Sequence, residues 1–469
     1  MDIKREWRRN KKVFAAIMAI ALPAIADLFV QTLLGFFDMI MVGKLGPVAI
    51  SSVGVGNAPV QAVIPVFFAI SIGTTAIVSR AFGSDNKKEG KNSMAQSIIL
   101  SVPFSIIIAG LLLVFGGNIL SLVGRADDMD LVRTTEYYRA VVMGLPFLCF
   151  NVVFAAAYRS TSKSTIPMVA NLISVISNVI LNYLFIFTLG FGVLGAGIAT
   201  TIARGIVTVI YIVLTLFTDK FWVSIPFSAL KYDRNMIKRI LKVGIPAAIE
   251  QGIFRIGMLI FEMMVISLGT MAYTSHKIAL TAESFSFNMG FGFSVAGTAL
   301  VGQQLGKNSP KNAERDAKAT TLLALCAMSA FGLTFFILPG TIIAMFTKEP
   351  AIREMATGAL RLVSICQPFL AVSMVLSGCL RGAGDTKAVL LITSLGMYLI
   401  RIPLTYLFLY KLDTGLLGAW VVMSIDLGFR SIACYRTFKK GRWRYLSVCI
   451  ASAQGWNRIL ERVCPYCQT

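Results

Sequence analysis

The sequence has few charged residues and almost no histidine. Asp, Glu, Lys and Arg make up 14% of its 469 residues, and it contains one histidine. Soluble globular proteins average about 25% charged residues. With 56% hydrophobic residues, the chain is neither a soluble enzyme nor a disordered or fibrous protein, and a lipid bilayer is the solvent it must suit.

The motifs that mark nucleotide hydrolysis and common catalytic sites are absent. The sequence holds no Walker loop, no paired-histidine metal motif and no nucleophile elbow. These absences argue against ATP-driven transport by this chain and against an enzyme. If the chain moves a solute, they favour an ion gradient as the energy source, with no cofactor beyond a coupling Na⁺ or H⁺.

The eight cysteines are dispersed and predict no disulfide framework. Cys464 and Cys467 form a CxxC pattern. The pattern stands in a tail without the strand–helix context of a redox motif, so no redox function is predicted.

Long apolar blocks predict twelve membrane spans. A span needs about 20 predominantly apolar residues, and blocks of that length recur along the chain, separated by charges or by Gly and Pro. The predicted spans cover residues 14–40, 49–79, 94–117, 138–158, 166–188, 193–217, 240–266, 278–302, 319–345, 359–380, 388–410 and 416–435.

The basic residues give the predicted topology its orientation. The chain has 44 Lys and Arg against 23 Asp and Glu, a net charge of +21. With the first residues inside, 32 of the 44 lie in loops and tails on the inner side, and 8 lie opposite. Because cytoplasmic loops are enriched in Lys and Arg, both termini are predicted to be cytoplasmic. The basic charge then requires no nucleic acid partner, and no cleavable signal peptide is predicted.

An internal repeat divides the chain into two halves. At an offset of 223 positions, Asp27 aligns with Glu250, and residues 192–196 align with residues 415–419. Six spans in each half give both halves the same orientation, as in transporters built from parallel repeats. We therefore predict an all-α membrane protein of two six-helix lobes, related by a pseudo-two-fold axis along the membrane normal.

The repeat also predicts the domain boundaries, with a basic linker between the lobes. The predicted parts are a cytoplasmic N-terminus at 1–13, an N-lobe at 14–217, a linker at 218–239, a C-lobe at 240–437 and a cytoplasmic tail at 438–469.

Carboxylates inside predicted spans are costly and so need a reason. Asp27 and Glu250 each follow a proline by four residues, at equivalent positions of the two halves. Their duplication favours a functional role. The alternative is an internal ion pair, or a hydrogen bond to a backbone group that the proline has freed.

One set of polar residues in the first half could form a cation site. Asp38 follows Asp27 by three helical turns, and Asn178 and Asn182 share a helix face at i, i+4. With Thr200 of the next span they offer one carboxylate and three neutral oxygens. This set suits a Na⁺ ion, or a proton held on Asp38. The alternative is polar contacts between helices.

Other polar residues in the second half remain candidates. Arg401 is expected to pair with a carboxylate or with carbonyls freed by Pro403, and His276 is most simply a structural hydrogen-bonding residue. The candidate proton or substrate residues are Glu250, Gln251, His276 and Glu283. The candidate structural or gating residues are Asp27, Asp385 and Arg401.

Five short segments resemble the multidrug and toxic compound extrusion (MATE) family, and the bacterial members most. The likeness runs from about residue 14 to residue 440. The segments are 37–46 (FDMIMVGKLG), 245–251 (IPAAIEQ), 275–280 (SHKIAL), 302–306 (GQQLG) and 380–386 (LRGAGDT).

The resemblance implies twelve helices in two lobes and export of cationic, apolar drugs in exchange for Na⁺ or H⁺. Asp38 matches the acidic coupling residue of the family's first helix, and Asn178, Asn182 and Thr200 match its N-lobe cation site. Some members, notably archaeal ones, have an acid where this chain has Asn182, which leaves the coupling ion open.

The same resemblance implies a setting for the protein. We expect a monomer in the bacterial inner membrane, with organic cations and membrane lipids as its partners. Two alternatives stand beside antiport: a flippase for lipid-linked oligosaccharides, and a membrane-embedded enzyme. The in-span acids are spread over several helices, which argues against the enzyme.

Overall fold

The protein is helical throughout the part of the chain that the structure describes. The computed structural model describes the backbone of residues 2–123, 130–227 and 230–446, and no strand occurs in these ranges. Most of the predicted tail at 438–469, including Cys464 and Cys467, lies outside them. The fifteen α-helices of these ranges are α1 (Asp2–Gly43), α2 (Pro47–Gly83), α3 (Lys87–Val123), α4 (Leu131–Met143), α5 (Leu145–Ser160), α6 (Thr165–Asn182), α7 (Gly192–Leu216), α8 (Arg234–Ile266), α9 (Thr270–Gly306), α10 (Pro310–Ile337), α11 (Pro339–Ala344), α12 (Pro350–Gly382), α13 (Thr386–Ser394), α14 (Ile402–Tyr406) and α15 (Gly415–Lys440).

Each of the twelve predicted spans coincides with one of these helices or with a consecutive group of them. By length and composition, nine described spans are apolar enough to cross a membrane. The count is ten when the bent pair α4 and α5 is taken as one span. The chain is therefore a multi-pass membrane protein.

The bend between α4 and α5 has a local cause. The two helices meet at Gly144 with an angle of 41°. Pro146 lacks a backbone N–H, which disfavours a continuous helix. The Thr201 hydroxyl donates to the Ala140 carbonyl at 2.7 Å, so a side chain of α7 satisfies a carbonyl at the end of α4.

π-helical segments interrupt the equivalent span of each half. The segment Tyr183–Thr188 follows α6, and the segment Leu407–Lys411 follows α14. The two lie at matching positions of the 223-residue repeat. A third π-helical segment, Leu395–Arg401, joins α13 to α14. Wider π turns are frequent at functional sites, and these segments adjoin several of the candidate residues.

The described chain forms two compact units. One contains residues 18–78 and 86–248, and the other contains residues 1–17, 79–85 and 249 onward. The domain boundaries drawn from the repeat stay a prediction. Each unit has its own buried interior, which in the first is centred on Phe67, Tyr138 and Val141.

Close helix contacts bring α9 and α12 together in the second unit. A side chain at Gly382 would lie 2.1 Å from the Thr298 carbonyl oxygen. The Thr298 hydroxyl donates to the Gly378 carbonyl at 2.9 Å. Small residues and interhelical hydrogen bonds are the usual means of helix association within a bilayer.

Candidate functional site

Asp27 is held in an ion pair inside the first unit. Its carboxylate is fully buried and pairs with the Arg159 guanidinium of α5. Asn171 of α6 donates to it at 2.5 Å, and Gln31 donates at 3.3 Å. A buried carboxylate with these partners ties three helices together.

Glu250 has the same kind of environment in the second unit. The Arg381 guanidinium of α12 donates to it through Nη2 at 2.6 Å and Nε at 3.2 Å. The Thr393 hydroxyl of α13 donates to it at 3.2 Å. The repeat therefore extends to contacts: each half has one buried acid, one arginine from its fourth span and one polar group from its fifth. For both acids, this geometry corresponds to the ion-pair alternative.

The four residues of the candidate cation site are linked by hydrogen bonds in the first unit. Asn182 Nδ2 donates to Asp38 Oδ1 at 2.5 Å and to Asn178 Oδ1 at 2.9 Å. Asn178 Nδ2 donates to Thr200 Oγ1 at 3.3 Å. Thr200 in turn donates to the Ala196 carbonyl at 2.9 Å. Groups from α1, α6 and α7 thus meet in one connected chain.

The amide oxygen of Asn182 is a buried acceptor within this site. Asn178 and Asn182 are 1% and 0% exposed, and Asp38 is half-buried. Among the described residues, Asn182 Oδ1 has no hydrogen-bond partner. With Asp38 ionised, the opposite amide orientation would place this oxygen against the oxygens of Asp38 and Asn178, so the hydrogen-bond network favours the present assignment. A buried acceptor next to a carboxylate is a ligand available to a cation.

Arg204 is the site residue that sequence reasoning did not select. It lies one turn after Thr200 in α7 and interacts electrostatically with Asp38 and Tyr137. Its Nη1 has no partner in the described part of the chain. The i, i+4 spacing from Thr200 is the signal that would have placed Arg204 on the same helix face.

The oxygens of the site suit a monovalent cation better than a transition metal. Within the described ranges, no group of three His, Cys, Asp or Glu residues is placed to hold a metal ion. A carboxylate with amide and hydroxyl oxygens is the ligand type of hard cations. With Asp38 as its one acid, the set carries a single negative charge for a bound ion.

The candidates of the second half do not form one site. Glu250 is bound to Arg381, whereas Glu283 of α9 interacts electrostatically with Arg401. His276 makes edge-to-face ring contacts with Phe261 and Trp420, with centroids 5.8 and 5.5 Å away.

Gln251 and Asp385 stand apart from these groups. Gln251 is half-buried, and successive residues of a helix are rotated by about 100°, so it does not share the face of Glu250. Asp385 caps α13, since its Oδ1 accepts from the Ala388 N–H at 3.4 Å.

Arg401 is the centre of a buried charge cluster. Its Nε lies 2.8 Å from Asp426 Oδ2, and Arg430 Nε donates to Asp426 Oδ1 at 2.7 Å. The Arg401 guanidinium also lies over the Phe261 ring at 5.5 Å. Of the two kinds of partner expected for Arg401, the carboxylate is present, and it is Asp426, one span further along the chain.

Comparison with protein families gives a match over both halves of the chain. A family model described as MatE matches residues 23–184 and 246–407. The two matched segments begin 223 residues apart, which is the offset of the internal repeat. Together they cover more than half of the chain.

Curated bacterial proteins are similar over almost their whole length. A probable multidrug resistance protein NorM of Thermotoga maritima is 29% identical over 92% of this chain and 93% of its own. An uncharacterized transporter, YisQ of Bacillus subtilis, is 27% identical over 91% and 94%. The multidrug resistance protein MdtK of Edwardsiella ictaluri is 25% identical over 86% and 89%.

Solved structures share the fold. A MOP superfamily transporter from Pyrococcus furiosus is 23% identical, with a TM-score of 0.86 over 92% of this chain and 96% of its own. A MATE structure in a bent conformation gives the same identity and TM-score over 94% and 97%. These neighbours have twelve helices in two lobes, and the likeness confirms the predicted fold class.

Proposed function

The chain belongs to the MatE family of membrane transporters, and from this we propose that it exports cationic, apolar small molecules in exchange for Na⁺. The proposed setting is the inner membrane of a bacterium, with the protein a monomer and both termini in the cytoplasm. The multidrug resistance names of the NorM and MdtK relatives support the substrate class.

The observation that carries the proposal is the unpartnered oxygen beside Asp38. A proton is held by the carboxylate of Asp38 alone, whereas Na⁺ needs several oxygen ligands around it. Here Asn182 holds Asp38 through its Nδ2 at 2.5 Å and keeps its Oδ1 unused by any described residue. A buried amide oxygen that lacks a hydrogen bond costs free energy, about 1–3 kcal/mol, and a bound Na⁺ would remove that cost.

In the proposed cycle, Asp38 binds Na⁺ together with oxygens of Asn178, Asn182 and Thr200. The ion cancels the negative charge of Asp38 and changes the hydrogen bonds between α1, α6 and α7. A ligand shifts a conformational equilibrium only by its differential affinity for the two states. Na⁺ and the exported cation therefore favour opposite states of the two lobes, and binding of one promotes release of the other.

Proteoliposomes that contain the purified full chain test this proposal. A Na⁺ gradient at equal pH is expected to drive uptake or release of ethidium, whereas a pH gradient without Na⁺ leaves the dye near its passive rate. Asp38→Asn should abolish the Na⁺-driven flux. The matched control is Glu262→Gln, because Glu262 is an acid of α8 that pairs with Lys277 and accepts from Tyr273 at 2.8 Å, outside the site.

Each outcome tests a different part of the proposal: the coupling ion, the export of organic cations or the role of Asp38. Flux driven by the pH gradient alone would assign coupling to a proton. A broad panel of organic cations that shows no flux under either gradient would contradict drug export, and the lipid flippase would become the better hypothesis. Normal Na⁺-driven flux in Asp38→Asn would contradict the role of Asp38.

A further inference from the structure

The repeat identifies the residues that stand in the second half where the cation site stands in the first. At the offset of 223, Asp38 corresponds to Phe261, and Asn178 corresponds to Arg401. Asn182 and Thr200 correspond to Thr405 and Met423. The second half therefore has no carboxylate at the position of Asp38 and has a cation at the position of Asn178.

The surrounding contacts support this correspondence. Asp27 and Glu250 lie 223 positions apart, and the arginines that pair with them, Arg159 and Arg381, lie 222 positions apart, so the two ion pairs match to within one position. The π-helical segments at 183–188 and 407–411 also match. The repeat thus includes contacts on either side of the site. The four residues that differ between the halves therefore differ locally, within an arrangement of contacts that both halves share.

The Arg401 side chain points to the residue that replaces Asp38. Its guanidinium lies 5.5 Å from the centroid of the Phe261 ring, and 5% of its side chain is exposed. An aromatic face attracts a cation through its quadrupole, more weakly than a carboxylate does. In the second half a cation therefore lies next to this position of α8, where an aromatic ring stands in place of the acid.

The negative charge that holds Arg401 comes from other helices. Asp426 of α15 is fully buried and lies 2.8 Å from Arg401 Nε, and Glu283 of α9 interacts electrostatically with Arg401. Arg430 also binds Asp426 at 2.7 Å. Two acids then balance two arginines, and removal of Arg401 would leave the cluster with one uncompensated negative charge.

We infer that the Arg401 guanidinium is a permanent cation of the protein. In the second half it occupies the position that the coupling cation occupies in the first half. Arginine suits this position because it stays protonated in proteins and its planar group can stack on an aromatic ring. The consequence is one exchangeable cation per chain rather than two. The inference rests on the proposed function for the identity of the first-half site, and on the contacts of Arg401 for the second half.

Binding of ²²Na⁺ to the purified full chain, measured by equilibrium dialysis, tests this inference. The wild type and Arg401→Lys should bind about one Na⁺ per chain, and Asp38→Asn close to none. The double variant Asp38→Asn with Arg401→Gln should regain about one Na⁺, because a free cation then enters the position that the guanidinium has left.

A matched control separates the effect of the position of the Arg401 guanidinium from the effect of the net charge of the cluster. Arg430 binds the same carboxylate, but its guanidinium lies over Phe254, 5.4 Å from the ring centroid, and not over Phe261. The double variant Asp38→Asn with Arg430→Gln should therefore bind no more Na⁺ than Asp38→Asn alone. Equal Na⁺ uptake by both double variants would show a general charge deficit and would overturn the inference.

The remaining outcomes distinguish this inference from the proposed function. Two Na⁺ per wild-type chain would overturn it without any variant, even if every Arg401→Gln protein failed to fold. No gain of Na⁺ in the folded Arg401→Gln double variant would also overturn it. A wild type that binds no Na⁺, with a gain on removal of Arg401, would contradict the Na⁺ coupling of the proposed function and leave the role of Arg401 supported.

Discussion

Arg381 binds Glu250 through two hydrogen bonds, from Nη2 to Oε1 at 2.6 Å and from Nε to Oε2 at 3.2 Å. Both groups are shielded from solvent, with 19% and 3% of their side chains exposed. Two parallel hydrogen bonds fix the orientation of the two side chains as well as their distance. This buried pair holds α12 against α8.

We therefore expect Glu250→Gln to destabilise the protein by about 3–5 kcal/mol, because Arg381 would stay buried without its counter-charge. Thermal unfolding monitored by fluorescence-detected size-exclusion chromatography measures the effect. Removal of both charges in Glu250→Leu with Arg381→Met should recover most of the loss. Thr393→Val, which removes a single 3.2 Å hydrogen bond to Glu250, is the milder control at about 1 kcal/mol. Unchanged stability in Glu250→Gln would contradict the structural role of the pair.

Arg204→Gln is expected to tighten Na⁺ binding at Asp38. The guanidinium interacts electrostatically with Asp38 and so competes with an incoming cation. Its removal should lower the Na⁺ dissociation constant about tenfold, which corresponds to roughly 1.4 kcal/mol. Titration of Na⁺-dependent thermal stabilisation gives the constant.

Arg204→Gln leaves the hydrogen bonds to the backbone carbonyl of this residue unchanged. Its carbonyl accepts from Asn151 at 3.0 Å and from Thr208 at 3.0 Å, and Gln keeps both contacts. Arg139→Gln, which changes another arginine of the first half, should leave the Na⁺ constant unaltered. Weaker Na⁺ binding in Arg204→Gln would mean that the guanidinium supports the site.

Asp385→Ala is expected to cost about 1 kcal/mol through loss of a helix cap. The carboxylate accepts from the Ala388 N–H at the start of α13, and alanine leaves that donor without a partner. Asp385→Ser supplies another acceptor and should retain most of the stability. Serine keeps the helix cap but removes the charge. Transport by Asp385→Ser at the wild-type rate would therefore mean that Asp385 acts as a helix cap and that its charge is not needed for gating.

Asp233 gives the protein a predicted acid sensitivity at the start of α8. The hydrogen bond from the Asn92 side chain, at 2.7 Å, is the main cause that lowers the pKa of Asp233 below its ordinary value of 3.8. The Met236 N–H adds to this effect at 3.2 Å. A lowered pKa in the folded state means that the stabilisation is fully present above pH 3.8 and is lost as the pH falls through the folded-state value.

Comparison of the wild type with Asp233→Ala over pH checks this sign. The difference in thermal unfolding temperature should be constant from pH 6 downward until about pH 4, and should then shrink. Asp219→Ala, which changes another acid of the predicted linker, is the control and should not alter the acid limb. A difference that grows as the pH falls would contradict the prediction.

The spans were predictable because burial in a membrane requires a locally apolar composition. An apolar block of about 20 residues has few alternatives to a spanning helix. The pairing of Asn178 with Asn182 was predictable too, since a helix places i and i+4 on one face. Asp38 and Thr200 were grouped with them as polar residues inside other predicted spans, and the family resemblance then matched all four residues to one cation site.

Partners that are far apart in sequence were not predictable from one chain. Asp27 meets Arg159, 132 positions away, and Arg401 meets Asp426 across a span boundary. Such pairs depend on how helices pack and rotate, which local periodicity does not determine. The π-helical segments escaped prediction for the same reason, because tertiary contacts decide whether a helix widens for one turn.

The π-helical segment Tyr183–Thr188 begins at the residue after Asn182. A π turn takes up more residues than an α turn, so this segment accommodates an extra residue between α6 and the loop that follows. Deletion of one residue between 183 and 188 would remove that extra residue and let the span continue as an α-helix, with the phase of the flanking turns nearly unchanged. A difference of one residue in length can therefore be absorbed in this turn while the two amides keep their direction and every ligand of the site stays the same.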